Sequence, residues 1–296
     1  MVGLQAAYAA CERAAAAHYE NFPVASLLVP RELRGHIAAL YAFARAADDF
    51  ADEGTWTADE RLRLLAGWRT RLRQCAVDDR AGRLPGPGEP AHSVETFLAL
   101  GATVRAKSLP VDLLEDLLSA FEQDVTVTRY DTWEALLDYG RRSANPVGRL
   151  VLRIAGYRDA ALDAHADAIC TALQLTNFWQ DLRGDFARGR IYMPEEETRR
   201  HGAHGPDLGR PQLTDAWRET VAAAVDRTRR LFETGRPLCD AVRGRLRHEL
   251  RATWLGGMHI LDRLEAARFD PLVSRPRLSV VDVPWFAWRL VTWSAW

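Results

Sequence analysis

Lysine is nearly absent from this sequence. Lys107 stands alone, and the other 38 of 39 basic residues are arginines. Arginine suits bidentate phosphate recognition, but a GC-rich coding sequence would explain the bias as a whole, together with the abundant alanine. Cysteine is also scarce. Cys11, Cys75, Cys170 and Cys239 lie far apart and form no Cys-x-x-Cys pair. That excludes a zinc ribbon and a disulfide framework, and points to a reducing, cytoplasmic compartment. No run of 18 apolar residues is present, so no membrane-spanning helix is expected. Glu12 and Arg13 interrupt the apolar start and no positive stretch precedes it, so no secretory signal is expected. The formal charge is −1, with no basic block or stripe, which argues against a nucleic-acid partner. Strand alternation, repeat-length periodicity and a Gly-x-Gly-x-x-Gly turn are missing as well.

What remains is helical patterning over 296 residues that are 48% hydrophobic, enough for a sizeable core. Residues 1–20 are alanine-rich. Pro30-Arg31-Glu32 opens a second helix, since proline in a first turn loses no hydrogen bond, and Gly54 is its candidate C-terminal cap. Thr57-Ala58-Asp59-Glu60 reads as a capping box opening a third. Residues 82–90 form a loop. Further helices are expected over about 91–106, 110–125, 131–143, 146–156, 160–185, 213–235 and 240–266. Residues 188–211 look like a long irregular connection. The expected fold is all-α and single-domain. Trp285, Trp288, Trp293 and Trp296 fill the tail, which is either membrane-interfacial, with Arg289 toward headgroups, or a terminal helix docked on the core.

Two acidic stretches stand out. In the first, Tyr41, Arg45, Asp48 and Asp52 recur at helical spacing and share one face. Like charges four apart cost roughly 0.2–0.5 kcal/mol, and acids in a last turn oppose the helix dipole at about 0.3–1 kcal/mol each. A bound cation reverses the sign of both. The second stretch places Gln174, Asn177, Asp181 and Asp185 along a helix that otherwise carries Leu173, Leu175, Phe178 and Trp179. One Asp-x-x-x-Asp alone reads most simply as a solvated helix end. Two copies with matching polar neighbours suggest Mg²⁺, a hard cation that takes one or two carboxylates and completes its shell with water and substrate phosphates.

At these motifs the sequence resembles the squalene/phytoene synthase family of isoprenoid diphosphate synthases. ARAADDFADE (44–53) looks like its first aspartate-rich motif, and LQLTNFWQDLRGDFARGRIYMP (173–194) like its second, through Arg190 and Tyr192. HYENFPVASLLVP (18–30) resembles the flap before the first motif. Residues 121–150 and WLGGMHILDRLE (254–265) match intervening and late helices. The resemblance implies an isoprenoid-synthase helical bundle around a central hydrophobic cavity, and diphosphate loss to a carbocation. It implies that Asp48, Asp52, Asp181 and Asp185 hold Mg²⁺ with Asn177 assisting. Arg45 and Arg190 would contact diphosphate, and His18, Asn21, Phe22, Tyr41, Tyr139, Gln174 and Tyr192 would line the site.

Two stretches depart from the family members that condense two prenyl diphosphates: Glu20-Asn21-Phe22-Pro23 in the flap, and Ser143-Ala144-Asn145-Pro146 where a Val-Ala-Gly run is usual. Both look most like a bacterial branch in hopanoid biosynthesis. Its substrate is presqualene diphosphate and its product the alcohol hydroxysqualene, and NADPH is not expected. Asn145, with Ser143 or Tyr139, is the candidate to orient the attacking water. An asparagine merely opening the helix at Pro146 is the alternative. Phe22, Tyr41, Phe43, Phe178 and Trp179 are candidate cation-stabilising faces, with core packing favoured for Phe43 and Phe178. Ala38, Ala42 and Ala46 would leave room for a long chain. Two other readings remain open. One is a condensing synthase that makes presqualene diphosphate, squalene or phytoene. The other is a non-catalytic, membrane-peripheral helical partner; peripheral membrane contact and pathway enzymes are also candidate partners.

Overall fold

The computed structural model describes residues 3–17, 29–78, 85–86 and 88–293. Its α-helices are α1 (Leu4–Ala17), α2 (Arg31–Asp52), α3 (Ala58–Val77), α4 (Ser93–Lys107), α5 (Val111–Thr126), α6 (Trp133–Ser143) and α7 (Asn145–Ile154). They continue with α8 (Ala160–Gln180), α9 (Leu182–Ala187), α10 (Glu195–His201), α11 (Asp215–Gly235), α12 (Leu238–Ala241), α13 (Gly244–Ala266) and α14 (Val283–Val291). Short 3₁₀ turns lie at Gly205–Gly209 and Val280–Asp282. Among the described residues there is no strand, only an isolated parallel bridge between Arg129 and Ile191. None of the described helices is long and apolar enough to cross a membrane. The expected all-α class is therefore observed.

The chain divides into two compact units. One comprises residues 1–126 and 146–163, the other 127–145 and 164–296. Each is built from separate stretches, so the units are not successive domains along the sequence.

In the first unit, α2 buries Ile37, Leu40, Phe43, Ala47 and Phe50 on one face. Trp68 of α3 is completely buried at the centre. Its ring lies parallel to Phe43 at 6.0 Å and edge-on to Phe50 and Phe97. The indole N–H donates to the Phe43 carbonyl at 3.2 Å, so burying the ring leaves no orphaned donor. The Thr57 capping box forms as expected: Glu60 N–H donates to Thr57 Oγ1, and Thr57 N–H to Glu60 Oε2 at 2.8 Å. Gly54 adopts φ +73°, the left-handed geometry that favours glycine in the turn between α2 and α3. Ala38, Ala42 and Ala46 belong to this packed core.

In the second unit, buried tryptophans find specific acceptors. Trp179 donates to Thr228 Oγ1 (2.8 Å), Trp217 to the His204 carbonyl (2.8 Å) and Trp254 to the Phe232 carbonyl (2.7 Å). Trp293 is only 3% exposed, packs edge-on to Trp254 at 5.3 Å, and donates to Asp240 Oδ1. The tail is thus docked at Trp293, while Trp288 on α14 is 57% exposed. Trp296 lies outside the described residues.

Three boundaries differ from the sequence pattern. The helix expected over 160–185 breaks at Asp181, whose φ/ψ of −105°/15° leaves the helical region and starts α9. The helix expected from residue 240 is interrupted at Val242 and Arg243, both extended. The connection 188–211 is not irregular throughout: Pro194 opens α10, with three glutamates in its first turn and two arginines and a histidine in its last, favourable at both ends of the dipole.

Candidate active site

The C-terminal half of α2 carries the first acidic motif. Arg45 reaches down the helix to Asp48 (3.2 Å), Asp49 (2.7 Å) and, more distantly, Glu53 (3.6 Å). Burial works against the charge on Arg45, but Asp48 and then Asp49 outweigh it and hold the guanidinium above its usual range. One turn earlier, burial pushes the Tyr41 phenol up, while Arg45 draws it down. The sequence pattern selected Asp48 and Asp52; the structure adds Asp49, which sits closest to Arg45. Asp52 is exposed at the helix end. Arg45 therefore offsets part of the clustered charge from within the same helix.

The second motif straddles the α8–α9 break. Arg275, from the segment after α13, clasps Asp181 with both nitrogens: Nη2 donates to Oδ2 at 2.7 Å and Nε meets Oδ1. Asp185 lies 3.7 Å from Arg188 and is largely covered. Asn177 is exposed and Arg190 half-buried. The Arg190 amide donates to the Asp185 carbonyl at 2.8 Å, fixing the turn toward Tyr192. Arg275 was not legible as a partner, because it lies 94 residues from Asp181 in a stretch without a motif.

The remaining candidates in this unit meet across α6 and α8. Gln174 Nε2 donates to Ser143 Oγ (2.6 Å), and Ser143 donates to the Tyr139 carbonyl (3.0 Å). Thr171 Oγ1 donates to Asn145 Oδ1 (2.8 Å), and Asn145 is buried as the first residue of α7. Gly140 allows the approach: a Cβ there would lie 3.2 Å from Gln174 Oε1. Beside these amides stand four aromatic rings. Phe178 stacks on Tyr192 with centroids 3.8 Å apart and planes within 6°, and Tyr130 and Tyr139 flank Tyr192 at 6.0 and 6.2 Å. The backbone makes this grouping. Ile191 N–H donates to the Thr128 carbonyl, and Glu195 N–H to the Tyr130 carbonyl, pinning the 188–194 turn against 128–131.

Tyr130 was missed by sequence reasoning. Its signal was faint: an aromatic just before Asp131-Thr132, where Thr132 caps α6 by accepting from Ala135 N–H at 3.2 Å. Phe43 and Trp179 are core residues. His18, Asn21 and Phe22 lie outside the described residues.

Among the described residues no three His, Cys, Asp or Glu side chains gather into a ready-made metal cage. Each motif instead offers part-exposed carboxylates held by guanidinium groups. That donor set fits Mg²⁺, which takes one or two protein carboxylates and fills its shell with water and phosphate oxygens.

The profile of the squalene/phytoene synthase family matches residues 15–285. This chain belongs to that family. The enzyme is 38% identical to the hydroxysqualene synthase of Zymomonas mobilis over 72% of its own length and 68% of the relative. It is 34% identical to the hydroxysqualene synthase of Sinorhizobium fredii over 92% of its length and 88% of the relative. The crystal structure of squalene synthase HpnC from Alicyclobacillus acidocaldarius superposes with a TM-score of 0.80 at 38% identity, over 90% of this family member and 95% of that chain.

Proposed function

We propose that this enzyme is an Mg²⁺-dependent hydroxysqualene synthase, converting presqualene diphosphate and water to hydroxysqualene and diphosphate in hopanoid biosynthesis without NADPH. The reading is carried by the likeness to hydroxysqualene synthases across most of the chain. The acidic motifs support it, since Asp52 is exposed and Asp48 and Asp181 are part-exposed, leaving hard oxygen donors within reach of a hydrated cation.

Asp48 and Asp52 on α2, and Asp181 and Asp185 with Asn177 around the α8–α9 break, would hold Mg²⁺. The bound ion would neutralise the charge that develops on the leaving diphosphate. Arg45 and Arg190 are the proposed diphosphate contacts, and their guanidinium groups favour the departing anion over the intact ester. Tyr41, Gln174 and Tyr192 line the substrate path in this reading. Residues facing the cation must be unreactive, and aromatic faces such as Tyr139 meet that need through attraction worth about 2 kcal/mol where water is excluded. Asn145 is the proposed water-positioning residue. Its carbonyl oxygen is engaged by Thr171, which orients the amide nitrogen and leaves it able to donate.

The enzyme is proposed to work in the cytoplasm, with peripheral contact at the inner face of the membrane. Supplying purified enzyme and Mg²⁺ with farnesyl diphosphate alone, and separately with presqualene diphosphate alone, tests the assignment. Conversion of only the second, to an alcohol, is expected. Consumption of farnesyl diphosphate would make the enzyme a condensing synthase.

A further inference from the structure

The segment after α13 carries an asymmetry that the reaction does not use. Trp285 and Phe286 of α14 turn toward His259 of α13, with ring centroids at 4.5 and 5.7 Å. Asp282 anchors the start of the helix. It accepts from Ser279 N–H (2.7 Å), Ser279 Oγ (3.0 Å) and Arg263 Nη2 (2.5 Å). One side of the element is therefore fixed to the protein. The other side presents Val280, Val281, Val283, Trp288 and Val291, each more than half exposed and Val291 at 85%. Residues 283, 287, 288 and 291 fall on one face of a helix. Five large apolar side chains across a 3₁₀ turn and the short helix that follows it are not the scattered exposure expected of an ordinary surface.

Charge points to the occupant. Residues 267–293 contain four arginines, Arg268, Arg275, Arg277 and Arg289, and two acids, Asp270 and Asp282. Both acids are buried and bonded: Asp270 accepts from Leu213 N–H and pairs with Arg218. Arg275 is taken up by Asp181, so what this segment offers outward is apolar and, through Arg268, Arg277 and Arg289, cationic, with no exposed carboxylate of its own. The Arg289 guanidinium lies 5.6 and 5.2 Å from the Trp285 and Trp288 rings. From there an arginine can cover apolar surface while its charge reaches headgroup depth. Tryptophan at such a boundary prefers the bilayer interface.

We propose that α14 and the turn before it form a docking surface for an anionic phospholipid membrane, with the helix lying in the interfacial plane. Valines and Trp288 enter the acyl boundary, and Arg277 and Arg289 meet lipid phosphates. This deepens the peripheral contact proposed above and rests on that reading only for its purpose, access to an oily substrate and release of an oily alcohol.

The test is co-sedimentation of the full chain with phosphatidylcholine vesicles, with and without phosphatidylglycerol, beside the triple variant Val281→Ser, Trp288→Ser, Val291→Ser. Binding to the anionic vesicles is expected, reduced at least about tenfold in the triple variant and weakened by salt. Turnover of detergent-dispersed presqualene diphosphate should be unchanged. Arg277→Glu gives an independent arm: weaker binding to anionic vesicles, little change on neutral ones. Three results would overturn the proposal: no binding by the wild type, equal binding by the triple variant, or vesicle-free sedimentation showing that the apolar face holds a second copy instead. Vesicle binding without turnover would sink the reaction assignment and leave the docking surface standing.

Discussion

Asn145 opens α7 from within the protein interior. The departure from Val-Ala-Gly drew attention to it, and its side chain is found buried and oriented by Thr171. Asn145→Val keeps the volume close and removes the donor. The alcohol-to-hydrocarbon ratio from presqualene diphosphate should fall several-fold, on the scale of losing one positioned hydrogen bond, about 0.5–1.5 kcal/mol. An unchanged ratio would reduce Asn145 to the opening residue of α7. Cysteine offers a check on packing. Burial pushes the Cys11, Cys75 and Cys239 thiols up to about 12, so they stay protonated and inaccessible in the native protein at pH 8. Only Cys170, half-buried, should react with an aromatic disulfide reagent before unfolding, against all four thiols in denaturant.

At the scale of elements, the close approach of α3 and α4 depends on Gly101, where an added Cβ would lie 2.5 Å from the Cys75 carbonyl oxygen. Backbone cannot swing aside as a side-chain tip can. Gly101→Ala should lower unfolding stability by about 1–3 kcal/mol, despite alanine's better helix propensity. Urea unfolding measures it, and a neutral or stabilising result would contradict the packing. Elements of this kind also show what was legible in advance. The start of α3 was readable because Thr57 and Glu60 carry a local capping signal. Asp48 and Asp52 were readable because helical spacing puts them on one face of α2. The break at Asp181 was not, since Leu-Arg-Gly-Asp continues a helical pattern and the chain departs from it where Arg275, 94 residues on, clasps the carboxylate. The grouping of Tyr130 with Tyr192 was hidden for the same reason. It depends on backbone pairing between distant turns, which leaves no periodic trace.

For the whole molecule, both acidic motifs are proposed to act on one diphosphate. Mg²⁺ with inorganic pyrophosphate should then raise the melting temperature of the wild type, by an amount equivalent to about 2.7 kcal/mol at a hundredfold excess over Kd. Asp48→Asn and Asp181→Asn should each remove most of that shift, and the double variant little more than either alone. Independent losses that simply add would mean two separate sites. The most direct measurement is product analysis of purified enzyme with Mg²⁺ and presqualene diphosphate in water enriched in heavy oxygen, without NADPH. The account predicts hydroxysqualene carrying the heavy label in its hydroxyl group. Untouched substrate, or a hydrocarbon without the label, would contradict it.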